Sequence, residues 1–324
     1  MSQGRRAFVL AAGLGTRLRP LTETWPKPAL PFLGPPLLRR TFAVLARAGV
    51  RQVAVNTHHL PEVMERTARE EAARRGLSVV VVHEPVIQGT GGGIRGLQAA
   101  LPGEDPVIVW NGDILFAPDL EELLRAHQAS EAAATMVLLP MPAGRRYAPV
   151  EVDGTGRVRR IAGVGSGGAG LTPWHFSGVH VLSAAVFSAM AGSGPEDINR
   201  DVYPRLFDAG GVKGWGVDAP WSDLGSAATY LDAQADLLAG RIADPLDPES
   251  PMRGGARPEA LVEPGARVHP SAQLGTDVFV ASGVEIPARA HLQRAALLPG
   301  ATLKPGETVT GEIRWSGKRL REKR

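Results

Sequence analysis

"AFVLAAGLGTRLRPLTETWPKPALP", residues 7–31, decides the fold. It opens as an unbroken apolar run, the pattern of a strand buried on both faces, and breaks at Gly13 and Gly15. Short β-rich runs then alternate with helical stretches up to about residue 240: "PLLRRTFAVLARAGV", "RQVAVNTH", "PEVMERTAREEAARRG", "LSVVVVHE", "GGIRGLQAAL", "DPVIVWNGD" and "PDLEELLRAHQAS". Repeated strand then helix predicts an α/β, Rossmann-like, mostly parallel sheet covered on both faces over 1–240. Such sheets take ligands beyond the carboxyl ends of their strands, and the two sharpest motifs, after Ala12 and after Trp110, stand there.

A second pattern begins after residues 241–256, "RIADPLDPESPMRGGA", which carry no sustained apolar period and read as a linker. Apolar residues recur every six positions at Val262, Val268, Leu274, Val280, Ile286 and Leu292. After a contraction of one residue the spacing resumes at Leu297, Leu303 and Val309. A six-residue repeat predicts a short parallel β-helix over 257–314, of about three coils, used for oligomerisation or for packing between domains. The basic end "GKRLREKR" reads as a solvated tail over 315–324.

Composition narrows the function. The 324-residue chain has no cysteine, which excludes thiol catalysis, a disulfide framework and a thiolate zinc site. A net charge of +3 is too small to point to nucleic acid. No apolar run reaches the ~20 residues of a membrane span, so the expectation is a cytoplasmic protein. Only 5 of the 36 basic residues are lysine, which singles out Lys27, held between Pro26 and Pro28. Those prolines restrict the backbone and stiffen the approach of the amine.

Gly13 and Gly15 allow backbone amides to approach an anion closely. Two familiar phosphate motifs fail. The dinucleotide fingerprint needs a glycine where Leu18 stands, and Gly-Lys-Ser/Thr occurs nowhere. What remains is a phosphate loop whose cations are Arg17, Arg19 and Lys27. Asp113 ends an apolar strand run, and Asp223, in "PWSDLGS", precedes a helical segment. Two carboxylates suit magnesium, which completes its octahedron with waters and phosphate oxygens; a turn-forming role for Asp113 and a helix cap for Asp223 are the alternatives. His58 and His59, being adjacent, point to opposite faces of a strand and read as a loop pair rather than a metal site.

The Gly-x-Gly-Thr-Arg-Leu-x-Pro-Leu-Thr run followed by Pro-Lys-Pro resembles the signature of the sugar-1-phosphate nucleotidylyltransferases. The likeness continues through "GTGGGI" (89–94), "VIVWNGDIL" (107–115), "FSGVHVL" (176–182) and "WSDLGSAATYL" (221–231), and the hexads resemble the shortened left-handed β-helix of many members. The resemblance implies that a nucleoside triphosphate and a sugar 1-phosphate give a nucleotide sugar and pyrophosphate with Mg2+. It implies that Arg17 holds the pyrophosphate and Lys27 the α-phosphate, and that Ala12, Gly13, Gly15 and Thr16 supply backbone contacts. Gly89 and Gly91 would lie over the base, Asn111 and Gly112 beside the nucleotide, Ser177 and Gly178 at the sugar, with Asp113 and Asp223 on the metal.

In place of the Glu-Lys-Pro element of many relatives, the middle of the chain reads "RVRRIAGVGSGGAGLTPWHFSGVHV". The pairing of "GTGGGI" with "HFSGVHVL" is closer to uridylyltransferases of N-acetylmuramate 1-phosphate, and guanylyltransferases of mannose or heptose 1-phosphate are also similar. Two other readings are a catalytically silent homologue that binds a nucleotide sugar as a signal, and an acyltransferase built on His269 and His291 of the hexads.

Overall fold

The computed structural model describes residues 4–103, 106–142, 144, 147–246 and 260–323. Strands β1 (Arg5–Leu10), β2 (Val50–Thr57), β3 (Ser78–His83) and β4 (Val107–Asn111) alternate with helices α1 (Leu37–Arg47), α2 (Pro61–Arg74) and α3 (Gly89–Ala100). There follow β5 (Ile114–Phe116), α4 (Leu120–Ser130), β6 (Ala134–Leu139), β7 (Val150–Val152), β8 (Val158–Ile161), β9 (Val164–Gly165), β10 (Thr172–Leu182), α5 (Ala184–Ala189), β11 (Val212–Gly216), β12 (Trp221–Asp223) and α6 (Ala227–Leu238). Local signals set several boundaries: Asp119 caps α4 by accepting from Glu122 N at 2.9 Å, and Ser226 with Thr229 forms a capping box on α6.

The large sheet is mixed rather than mostly parallel. β3, β2, β1 and β4 run parallel in that order, and β10 pairs antiparallel with β4 on one side and β6 on the other. A run such as "FSGVHVL" shows that a strand is buried but not which way it points, so the reversal was invisible in the residues. β1 lies between β2 and β4, and the chain changes direction of travel across the sheet there. The crevice beyond the ends of β1 and β4, where Leu10 faces Asn111, is the ligand position expected of this topology.

The hexads form parallel coils, from β13 (Ala260–Val262), β14 (Arg267–Val268), β15 (Gln273–Leu274), β16 (Val278–Val280), β17 (Glu285–Ile286), β18 (His291–Leu297) and β19 (Thr308–Trp315), and an antiparallel strand, β20 (Lys318–Arg321), follows them. Arg267 pairs with Glu285 and Gln273 with His291, eighteen residues apart, or three hexads to a coil. Beyond Arg294, which takes φ 47, Val278 pairs with Ala295, seventeen residues on; this is the one-residue contraction read in the sequence.

Two expectations at the margins are corrected. The end of the chain is not a solvated tail: β20 folds back on β19 through a tight turn at Ser316 and Gly317, both at positive φ, and Arg321 pairs with the buried Glu312. The first residues of the supposed linker are docked, with Ile242 buried and Asp244 bridging Arg40 at 2.8 Å; 247–256 lie outside the described residues. One apolar cluster joins Leu18, Leu21, Leu30 and Phe32 of the loop after β1, Tyr230 and Leu237 of α6, and Val280, Leu297 and Trp315 of the coils.

Candidate active site

Beyond β1 the chain makes three short 3-10 turns, Thr16–Leu18, Leu21–Glu23 and Lys27–Ala29, and none of these residues joins the large sheet. Gly15 takes φ 61, and a Cβ there would stand 2.7 Å from Thr22 Cγ2 and 3.2 Å from Lys27 Cγ. Only glycine lets this loop fold back over itself. Gly13 differs: a Cβ there would meet nothing within 4 Å, because its surface faces an open cavity.

That cavity, about 250 Å3, is lined by Leu10, Ala11, Ala12, Gly13, Lys27, Pro28, Asn56, Glu84, Ile87, Gly89, Thr90, Asn111 and Asp113. At one end Lys27 Nζ lies 2.8 Å from Asp113 Oδ2, the lysine side chain 13% and the aspartate 33% exposed. β12 pairs antiparallel with β5, so that Asp223 opposes Ile114 and Leu224 N donates to Asp113 O at 2.9 Å. This pairing sets the two aspartates side by side. Arg17 reaches the same place: a Cβ on Gly225 would fall 2.7 Å from Arg17 Nη2 and 3.1 Å from Asp223 Oδ2.

The donor set fits magnesium. The backbone pairing brings Asp113 and Asp223 onto adjoining segments, and two carboxylates would leave most of the coordination sphere to waters and phosphate oxygens, as a hard cation requires. No cluster of three or more His, Asp or Glu able to hold a metal occurs among the described residues.

Several expected residues stand elsewhere. Thr16 and Arg17 are exposed beside the cavity rather than lining it. Gly91 faces the backbone of the 194–198 segment: its N–H, with that of Gly92, donates to Glu196 O at 2.8 and 3.1 Å. Close approach of that backbone also requires glycine at Gly89, where a Cβ would be 2.6 Å from Glu196 O. Gly112 donates to Leu10 O at 2.9 Å, closing the turn between β4 and Asp113. Ser177 is fully buried and its Oγ accepts from Val179 N at 3.2 Å, so its side chain is part of the irregularity in β10 rather than of a surface. Gly178, φ 88, lies over Asn111, whose Nδ2 would be 2.8 Å from a Cβ there. The adjacent histidines are loop anchors, His58 Nδ1 at 2.7 Å from Glu84 O and His59 Nε2 at 2.7 Å from Thr22 O.

The residues missed by sequence reasoning end neighbouring strands. Asn56, next to last in β2, accepts from Ala11 N at 2.7 Å and donates to Glu84 Oε1 at 2.7 Å; Glu84, just past β3, also accepts from Gln88 N at 3.1 Å. An amide and a carboxylate closing apolar runs were the available signal. Tyr147, His175 and Trp221 form an aromatic cluster, Tyr147 tilted against His175 with centroids 4.1 Å apart and Trp221 edge-on to His175 at 4.5 Å. Both His175 ring nitrogens are buried without a hydrogen-bond partner among the described residues, and burial pushes the ring's pKa down to about 4, so it is neutral.

A glycine-bearing loop with two cations lies beside Asp113 and Asp223 at the switch point of a mixed α/β sheet, an arrangement suited to phosphate-bearing ligands. The chain belongs to the nucleotidyl transferase family, whose profile matches residues 6–240. It is 35% identical over 261 residues to the mannose-1-phosphate guanylyltransferase of Mycobacterium tuberculosis, covering 80% of this chain and 70% of that one. It is 28% identical over 263 residues to the UTP–glucose-1-phosphate uridylyltransferase of Synechocystis, covering 77% and 68%. A guanylyltransferase catalytic subunit of Danio rerio matches at 27% over 235 residues, and there the alignment spans 64% of the relative's length, less than two thirds. Among solved structures, HddC from Yersinia pseudotuberculosis shares the fold with a TM-score of 0.60 and 23% identity, over 71% of this chain and 97% of that one. No helix among the described residues is long and apolar enough to cross a membrane.

Proposed function

We propose that this chain transfers a nucleotidyl group from a nucleoside triphosphate to a sugar 1-phosphate. A phosphate oxygen of the sugar 1-phosphate attacks the α-phosphorus, a new P–O bond forms, and the bond to the bridging oxygen of the β-phosphate breaks. Pyrophosphate leaves with the electron pair. The observation that carries this reading is the contact of Lys27 with Asp113, with Asp223 and Arg17 nearby, in the lining of a cavity that Gly13 also borders.

Bringing two phosphate groups together concentrates negative charge, so catalysis consists of positioning and neutralisation. Lys27 takes the α-phosphate, and Arg17 the leaving pyrophosphate. Magnesium, held by Asp113 and Asp223, supplies further neutralisation when bound. Gly13 and Ala12 lie along the triphosphate, and the base occupies the end formed by Ile87, Gly89 and Thr90. Trp221 and Asp223 alternate with Ser222 on β12 and so share a face, which directs the sugar toward Tyr147 and Trp221. The hexad coils, with three repeats to a turn, are read as left-handed.

GTP with a mannose-type 1-phosphate is the favoured pair, supported by the 35% identity to a guanylyltransferase over most of this chain. UTP with N-acetylmuramate 1-phosphate is the second reading, and the "GTGGGI" and "HFSGVHVL" pairing favours it. Pyrophosphate release with magnesium across five nucleoside triphosphates and a set of sugar 1-phosphates tests both. One strongly preferred pair is expected; no release from any pair, with nucleotide sugars still binding, would move the reading to a silent homologue.

A further inference from the structure

The loop that carries Arg17 and Lys27 has little structure of its own. Three 3-10 turns in succession offer few backbone hydrogen bonds, and such turns are marginal unless side chains pin them. Two pins are visible. From the α/β side, His59 Nε2 contacts Thr22 O at 2.7 Å, and Thr22 Oγ1 donates to Gly15 O at 2.9 Å. From the other end of the chain, the buried Trp315 at the close of β19 donates its indole N–H to Thr24 Oγ1 at 3.1 Å. Thr24 is three residues before Lys27. Beneath this bond Leu18, Leu21 and Leu30 share one apolar cluster with Val280, Leu297 and Trp315, and Trp25 packs against its edge.

We propose that the C-terminal hairpin acts within the same chain as a latch on the phosphate loop, and that Trp315 is a positioning residue which sets Lys27 through Thr24. The assignment to catalysis rests on reading residues 11–27 as the triphosphate loop; the latch itself does not.

The geometry gives the coils a task separate from assembly. Turning on the bond from Trp315 fixes Thr24, the rigid Pro26-Lys27-Pro28 segment carries that constraint forward, and Lys27 meets Asp113 at the end of it. β20 holds the hairpin in place in turn: Arg294 bridges Glu322 and Asp232 at 2.8 Å each, tying the end of the chain to α6. Gln234 of α6 donates to Asp277 O and Ala295 O at 2.8 and 3.0 Å. The hairpin is therefore anchored to the domain whose loop it steadies.

The test uses the full-length protein and three variants: Thr24→Val, which removes the acceptor and keeps the shape, Thr24→Ser, which keeps the hydroxyl, and Trp315→Phe. Hydrogen exchange is followed peptide by peptide, and pyrophosphate release is measured as a function of each substrate. Losing one such bond should speed exchange over residues 16–30 about three- to tenfold in Thr24→Val and Trp315→Phe. Exchange over 278–297 should stay unchanged, and Thr24→Ser should match wild type. kcat/KM for the triphosphate should fall by a similar factor while KM for the sugar 1-phosphate holds, and the Thr24→Val/Trp315→Phe double variant should be no worse than the poorer single one. Unchanged exchange over 16–30 in Thr24→Val, losses that add in the double variant, or a uniform loss of protection over the whole chain would each overturn the latch. A wild-type protein that releases no pyrophosphate refutes the proposed function, while the exchange data still decide the latch.

Discussion

Lys27 Nζ and Asp113 Oδ2 are 2.8 Å apart, although 86 residues separate them in the chain. The pair joins the phosphate loop after β1 to the carboxylate after β4. The lysine proposed to meet the α-phosphate and the aspartate proposed to meet the metal are thus held against each other.

Asp113→Asn and Asp223→Asn should each lower turnover at least about a hundredfold, because each removes a negative charge from the magnesium position while conserving shape. Raising magnesium should recover part of the loss. Steady-state rates over a magnesium series check this, and near wild-type rates in both variants at ordinary magnesium would refute the assignment.

Lys27→Ala should cost turnover by a comparable factor without unfolding the protein. Its side chain is 13% exposed and, among the described residues, pairs with Asp113, which is one-third exposed and regains water once the lysine is gone. A melting temperature within a few degrees of wild type, together with a large kinetic loss, is the expected result.

Gly13→Ala and Gly15→Ala should separate function from folding. A methyl at Gly15 meets Thr22 at 2.7 Å and a left-handed backbone, so that variant should lose about 1–2 kcal/mol of stability or more. At Gly13 a methyl meets no protein atom but enters the cavity, so stability should hold and the KM for the triphosphate should rise. Chemical denaturation and initial rates on the two variants distinguish these outcomes.

Acid should destabilise the fold through its buried histidines. Burial pushes His180 down to about 3 and His175 to about 4, from an ordinary 6.5. Below about pH 6.5 the unfolded chain therefore binds protons that the folded chain does not. Their contribution is complete above pH 6.5, declines as pH falls, and is lost by the folded values. His180→Gln should flatten the fall in melting temperature between pH 6.5 and 4, and an equally steep fall in that variant would contradict the assignment.

Ending the chain at residue 246 should yield a poorly soluble protein rather than an active catalytic domain. Leu18, Leu21, Leu30 and Phe32, all fully buried, would lose the coil half of their cluster. Size-exclusion chromatography of the truncated and full-length chains checks this, and a monodisperse, active truncated protein would show that the coils are dispensable.

Much of the fold was legible because strands and coils are written in short periods. The apolar run before Gly13 placed β1, the run before Asn111 placed β4, and the hexads gave the eighteen-residue coil and its contraction at Arg294. The antiparallel β10 was not legible, since side-chain alternation carries no strand direction. Nor was β20: "GKRLREKR" has a tail's composition, and only pairing with β19 and the Arg321 contact to Glu312 make it a strand. Lining the cavity, Asp113, Ala12 and Gly13 could be found because they follow strand ends, and Lys27 because lysine is scarce and Pro26 and Pro28 flank it. Asn56, Glu84 and the Tyr147–His175–Trp221 cluster could not, because they meet only through tertiary contacts, and the burial of Ser177 depends on the irregularity in β10.

The hydrogen bonds from Gly91 and Gly92 to Glu196 O have a further consequence. In many nucleotide-binding folds the free amides at a helix N-terminus receive the phosphates. In α3 two of those amides are already engaged, and in the proposed site the counter-charge comes from loop side chains, Lys27 and the exposed Arg17. A binding pocket of that kind feels its medium: mobile ions compete for Arg17 far more readily than for a buried amide cradle. With Arg17 on the pyrophosphate as proposed, affinity for the triphosphate should fall as ionic strength rises.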